Sequence, residues 1–94
     1  MAGSFEAVRA EALFVSSLQS SEVPGADQVR RAVAGTLRRV GIRGCATAVA
    51  GEFGDHPDMA VARMRWALAT VRAVYPHGTG PVCPVAPRPL ALAG

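Results

Sequence analysis

The 94-residue chain has little of several residue types that would point to a function. It contains no lysine, and the ten residues counted as Lys or Arg are all arginine. Only 5% of its residues are aromatic. The arginines, together with abundant Ala and Gly, indicate the codon bias of a high-GC bacterial genome, so they say little about phosphate binding. A formal net charge of +3 permits an acidic partner or nucleic acid without requiring either.

The chain also lacks the motifs that usually carry enzymatic chemistry. It has no glycine-rich phosphate loop, no nucleophile elbow and no carboxylate pair outside helix starts. Its thiols and imidazoles, Cys45, Cys83, His56 and His77, are not spaced as zinc ligands are. We therefore expect no enzymatic activity, no cofactor, no metal and no small-molecule substrate. Cys45 is predicted to be a buried small side chain.

Targeting and membrane signals are missing as well. No run approaches the ~18 apolar residues that a membrane span needs. The N-terminal residues have no basic segment ahead of their apolar part, as a secretory signal would. Two cysteines in unlike contexts do not make a disulfide framework. These observations predict a soluble, cytoplasmic protein with no membrane partner.

What the sequence does contain is helical periodicity. Half of the residues are hydrophobic, and apolar residues recur at spacings of three and four in four segments. The break QSSEVPG, Gly41 and Gly54 separate these segments, and Asp55 is placed to cap the last one. We predict an all-α domain over residues 1–75, with helices at roughly 4–18, 26–40, 43–53 and 55–75. Residues 76–94, rich in Pro and Gly, are predicted to be a flexible tail.

The helix predicted at 55–75 has apolar residues on two opposite sides, so we expect other helices or a partner to pack on both. One stripe carries apolar residues spaced three and four apart, and it comprises Val61, Met64, Leu68, Val71 and Tyr75. Trp66, the single tryptophan, falls on the opposite side of that helix, next to Met59 and Ala73. Either other helices of the domain cover Trp66, or it anchors an interface, where tryptophan is enriched.

The first predicted helix has a similar arrangement. Its main stripe comprises Phe5, Val8, Ala12 and Val15, while Phe14 and Leu18 form a second patch. Small core residues bury little area each, which favours association with another protein or with a second copy. We therefore predict a non-enzymatic module that acts by protein–protein association. The residues expected at its interface are Trp66, Met59 and Ala73, or Phe14 and Leu18.

The alternative function is DNA binding by a helix-turn-helix. Ala50 and Gly54, four apart, match the first half of that motif, but its second half fits only with a longer turn. Asp58 near the start of the following helix would repel phosphates, and the helix offers no Asn, Gln, Ser or Thr there to read bases. The arginines that would contact the DNA backbone are Arg30, Arg31, Arg38, Arg63 and Arg65.

About two thirds of the chain resembles small helical proteins of high-GC bacteria. The resemblance lies in LFVSSLQ, LRRVG and the stretch GC…VAGEFGDHP…RMRWA, between Leu13 and Trp66. That group has no assigned activity. The resemblance therefore implies a helical fold and no functional residues.

Overall fold

The computed structural model of the chain describes residues 3–75, and these residues form three α-helices and one short 3-10 turn. Helix α1 spans Gly3–Val15, the turn spans Ser20–Glu22, α2 spans Ala26–Asp55 and α3 spans Pro57–Val74. The predicted all-α class is confirmed, but the predicted count of four helices is wrong. The predicted tail, with His77 and Cys83, lies outside the described residues.

Helix α2 combines the second and third predicted helices into one 30-residue element. At its start, the side-chain Oε1 of Gln28 accepts the N–H of Gly25 at 3.0 Å, which satisfies a donor that the first turn leaves free. Gly41 lies inside α2 with φ 83° and ψ 164°, a conformation that is essentially restricted to glycine. The helical geometry is therefore interrupted at Gly41, where the sequence predicts a helix end, and it resumes directly beyond this residue, so that the two predicted helices form one kinked element.

A single residue joins α2 to α3. Helix α2 runs through Gly54 to Asp55, and Pro57 begins α3 at the position where a missing N–H costs least. His56 lies between them, where its N–H donates to the Glu52 carbonyl at 2.7 Å and its carbonyl accepts from Ala60 at 2.9 Å. The predictions that Gly54 ends a helix and that Asp55 caps the next one are therefore wrong.

The core is built from small side chains of all three helices. Its buried members are Ala10, Ala12, Leu13, Phe14, Val29, Val33, Cys45, Val49, Ala60, Ala67 and Val71. The buried stripe of α3 therefore passes through Ala60, and Val61 is exposed. Phe5, predicted to join the stripe of α1, is 65% exposed. The prediction that Cys45 is buried is confirmed, since only 1% of it is exposed.

Side-chain contacts fix the relative direction of α1 and α3. Glu6 near the start of α1 pairs with Arg72 at the end of α3, with 2.9 Å between Oε2 and Nη2. The guanidinium carbon of Arg9 lies 4.2 Å from the ring centroid of Tyr75. At the other end, the Nε of Arg63 donates to the Phe14 carbonyl. The two helices are therefore antiparallel. The described residues extend 52 × 27 × 25 Å along their principal axes.

In residues 3–75, no helix is long and apolar enough to cross a membrane.

Candidate protein-binding groove

Arg63 of α3 closes the end of α1. Its Nε donates to the carbonyl of Phe14 at 2.8 Å, and its Nη2 donates to the carbonyls of Ser16 at 3.0 Å and Leu18 at 2.9 Å. A helix leaves its last carbonyls without partners inside the helix, and that end carries a partial negative charge. One guanidinium therefore satisfies several acceptors, and its charge also neutralises the dipole. A lysine would supply the charge, but it lacks the planar set of donors that reaches several carbonyls at once.

The same guanidinium lies among aromatic rings. Its central carbon is 4.9 Å from the ring of Trp66 and 5.7 Å from that of Phe14, distances typical of cation–π contacts. Burial lowers the pKa of Arg63, and the group stays charged because the ordinary pKa of arginine lies far above neutrality. Trp66, half-buried, is thus tied through Arg63 to the end of α1.

An open groove of about 540 Å³ lies where the end of α1 meets the corner between α2 and α3. Its volume is in the range of ligand-sized sites in proteins. Apolar side chains make up most of the wall, and Glu52 and Arg63 are its charged members. We call it the groove, and its lining residues are Phe14, Val15, Gln19, Ser20, Ala48, Glu52, Met59, Ala60, Ala62 and Arg63.

Three acidic residues lie at the corner beside the groove, and one of them, Glu52, lines it. Asp55 lies on the same face of α2 one turn further, and Asp58 lies one turn before Ala62 on α3. We call these three carboxylates the acidic corner. All residues from 50 to 59 are exposed, and within residues 3–75 none of the three forms an ion pair.

The electrostatics of the acidic corner are unfavourable to the chain itself. Glu52 and Asp55 occupy the last turn of α2, which contains no basic residue. Negative side chains there face the negative end of the helix dipole. A cation from outside the chain would relieve both the dipole and the mutual repulsion of the carboxylates.

The structure places the residues predicted at an interface in different surroundings. Met59 is 72% exposed and lines the groove together with Phe14, so one member of each predicted patch lies at this single site. Phe14 is only 6% exposed, and its ring centroid is 6.2 Å from that of Phe53. Leu18 is half-buried against the core, and Ala73 is exposed, about 20 Å from Met59 along α3.

The structure places the arginines of the DNA-binding alternative in different surroundings. Arg63 is engaged by carbonyls at and just beyond the α1 end, and Arg30 pairs with Asp27 at 3.0 Å. Arg31, Arg38 and Arg65 are exposed. The motif has a turn of three or four residues, whereas one residue separates α2 from α3.

Within residues 3–75, no group of three or more His, Cys, Asp and Glu side chains could hold a metal ion. Comparisons with protein-family models, with curated proteins and with solved structures found no match to this chain.

Sequence reasoning missed two components of the site. The capping role of Arg63 depends on a contact across 49 residues of chain, which helical periodicity does not encode. The acidic corner has a local signal, namely two carboxylates ahead of His56 and Pro57. The sequence was interpreted with Asp55 at the start of a helix, whereas Asp55 is the last residue of α2.

Proposed function

We propose that this chain is a non-enzymatic helical module that binds another protein through the groove. The occupant we propose is an apolar helix that also carries arginine or lysine. The observation that carries this proposal is the coincidence of an open apolar groove with unpaired carboxylates at the end of α2. Apolar side chains would fill the groove, and basic side chains would meet the acidic corner.

The exposure of Met59 supports the proposal. A methionine that is 72% exposed beside a groove contributes little to the folded chain, and it adapts its shape to an incoming side chain. Covering a methionine stabilises a complex by about 1.5–3 kcal/mol. That range corresponds to roughly a tenfold to hundredfold change in affinity.

The charges at the groove favour a basic helix over nucleic acid as the partner. Phosphates would be repelled by Glu52, Asp55 and Asp58, and the positive charge of Arg63 is already matched by the end of α1. A basic helix suffers no such repulsion. The partner is thus distinguished by the sign of its charge as well as by its apolar face.

Trp66 offers a direct test, because it is the single tryptophan and lies against Arg63 of the groove. A synthetic amphipathic helix of leucine and arginine, without tryptophan, is titrated into the full chain while Trp66 fluorescence is followed. We expect a saturable change. A matched peptide of leucine and glutamate is expected to give none.

Two variants locate the site. Met59→Ser is expected to weaken binding of the leucine–arginine peptide about tenfold or more, because it removes the apolar contact at the groove without changing the charge. Phe5→Ser also replaces an exposed apolar residue by serine, at the far end of α1, and is expected to bind like the wild type. A response that is absent, or equal for both peptides, would contradict the proposal.

A further inference from the structure

We infer that the partner in the groove is a second copy of this chain, which inserts the kink of its α2. This inference rests on the proposed function of the groove and names its occupant. The inserted part comprises residues 38–43, here called the kink segment, and it contains Val40 and Ile42 on either side of Gly41. It has the apolar and basic character that the groove and the acidic corner require.

The kink segment presents apolar side chains that the chain leaves uncovered. Ile42 is 59% exposed, and Val40 is exposed as well. Single exposed aliphatic side chains are common on protein surfaces, whereas here two of them lie two positions apart, on either side of Gly41. The groove of about 540 Å³ is open and has an apolar wall to receive them.

The charges of the two regions are complementary. Residues 28–43 carry five arginines and no acidic residue, while residues 44–59 carry three acidic residues and no arginine. Of the five arginines, Arg30 alone has an ion pair within the described part of the chain. Arg38, Arg39 and Arg43 lie in the kink segment, so its insertion would bring unpaired arginines to unpaired carboxylates.

The two regions also lie along one strip of α2. A Cβ atom added at Gly44 would be 2.6 Å from Cγ1 of Val40, so the Val40 side chain lies directly over Gly44. Successive steps of four residues lead from Gly44 to Ala48 and Glu52, both of which line the groove. The distance from Gly44 to Glu52 along the helix is roughly 12 Å.

This placement allows a closed, two-fold arrangement. If two copies of α2 lie antiparallel, with the two-fold axis between Val40 and Glu52, each kink segment meets the groove of the other copy. The same contact, kink segment to groove, is then made twice. Such an arrangement ends at a dimer, since neither copy keeps a free groove or a free kink segment on this surface.

The experiment is a charge exchange between full-length variants, each checked for helical content. One variant is Arg38→Glu with Arg39→Glu, and the other is Glu52→Arg with Asp55→Arg. Sedimentation equilibrium is measured for the wild type, for each variant alone and for their equimolar mixture. We expect the wild type to dimerise, each variant alone to dimerise at least tenfold more weakly, and the mixture to recover dimers.

Recovery in the mixture is the decisive result, because misfolded variants could not restore each other. A wild type that stays monomeric at all concentrations would overturn the inference, as would variants that dimerise alone or a mixture that stays monomeric. The leucine–arginine peptide separates the two proposals. If that peptide binds while the chain remains a monomer, the groove keeps its proposed function and its partner is another protein.

Discussion

Helices α1 and α2 end in opposite ways. The guanidinium of Arg63 holds the Phe14 carbonyl in the last turn of α1 and the Ser16 and Leu18 carbonyls just beyond it, and its charge neutralises the negative end of the helix dipole. The last turn of α2 contains Glu52 and Asp55, has no basic residue and is exposed. One helix end is completed within the chain, and the other leaves two carboxylates without an ion pair in residues 3–75.

The two helix ends differ in burial, and burial decides which of them must be capped for the chain to fold. The end of α1 is buried, so its carbonyls must have donors for the chain to fold. The end of α2 is in contact with water, which satisfies its carbonyls without a side chain. Carboxylates in that turn destabilise the chain slightly, and residues that break a local rule in this way are expected at functional sites.

Removing the cap of α1 has the largest expected effect. Arg63→Ala leaves partly buried carbonyls without donors and is expected to lower the free energy of unfolding by about 2–3 kcal/mol. Arg63→Lys keeps the charge but loses the planar fork, so an intermediate loss is expected. The measurement is urea denaturation followed by circular dichroism. Arg65→Ala, two residues away and exposed, is the control and should change stability by less than ~0.5 kcal/mol.

Equal losses for Arg63→Ala and Arg65→Ala would mean that the α1 end needs no cap. The contrast between the two helix ends would then have no energetic basis.

A second prediction concerns two glycines of α2. Gly41 has a positive φ, so Gly41→Ala is expected to destabilise the chain by about 1–3 kcal/mol. Gly51 is helical, exposed and has no atom within 4 Å of an added Cβ, so Gly51→Ala is expected to stabilise it by up to ~1 kcal/mol. Effects of the same sign, in thermal denaturation, would contradict the kinked course of α2.

A third and smaller effect is a pH dependence of stability that is due to the buried thiol of Cys45. Burial raises the pKa of the Cys45 thiol above its ordinary 9.0, and Glu11 raises it further, while Arg39 lowers it. The unfolded chain therefore loses this proton first as the pH rises, so Cys45 contributes stability below pH 9.0 that disappears at higher pH. Urea midpoints compared across this range should fall more steeply for the wild type than for Cys45→Ala. Parallel curves would show that the thiol has the same pKa in both states.

The sequence predicts the helical class well, because periodicity and the QSSEVPG break depend on local chemistry. It also predicts that Gly41 interrupts a helix and that Cys45 is buried. It does not predict that α2 continues past Gly41, since glycine at a helix end and glycine in a kink leave the same local pattern. The buried stripe of α3 passes through Ala60 because α1 and α2 pack on it together, and that selection is made by tertiary contacts.

The site is less predictable than the fold for the same reason. Met59 and Phe14 are individually recognisable as apolar residues outside the main stripes, but 45 residues separate them, and only the folded chain brings them to one groove. The role of Arg63 arises from such a long-range contact as well. Composition and spacing cannot distinguish an arginine that caps a helix from one that faces a ligand.

The most direct test of the central claim is to reverse the charges at the end of α2 with Glu52→Arg and Asp55→Arg together. The arginines suit the helix dipole, so at a concentration where wild type and variant are both monomeric the free energy of unfolding is expected to rise by about 0.3–1 kcal/mol per site. The same variant is expected to lose binding of the leucine–arginine peptide, because its acidic corner has become basic. Greater stability with lost binding is the predicted result. Unchanged binding, or a less stable chain, would contradict the claim that the acidic corner serves a partner.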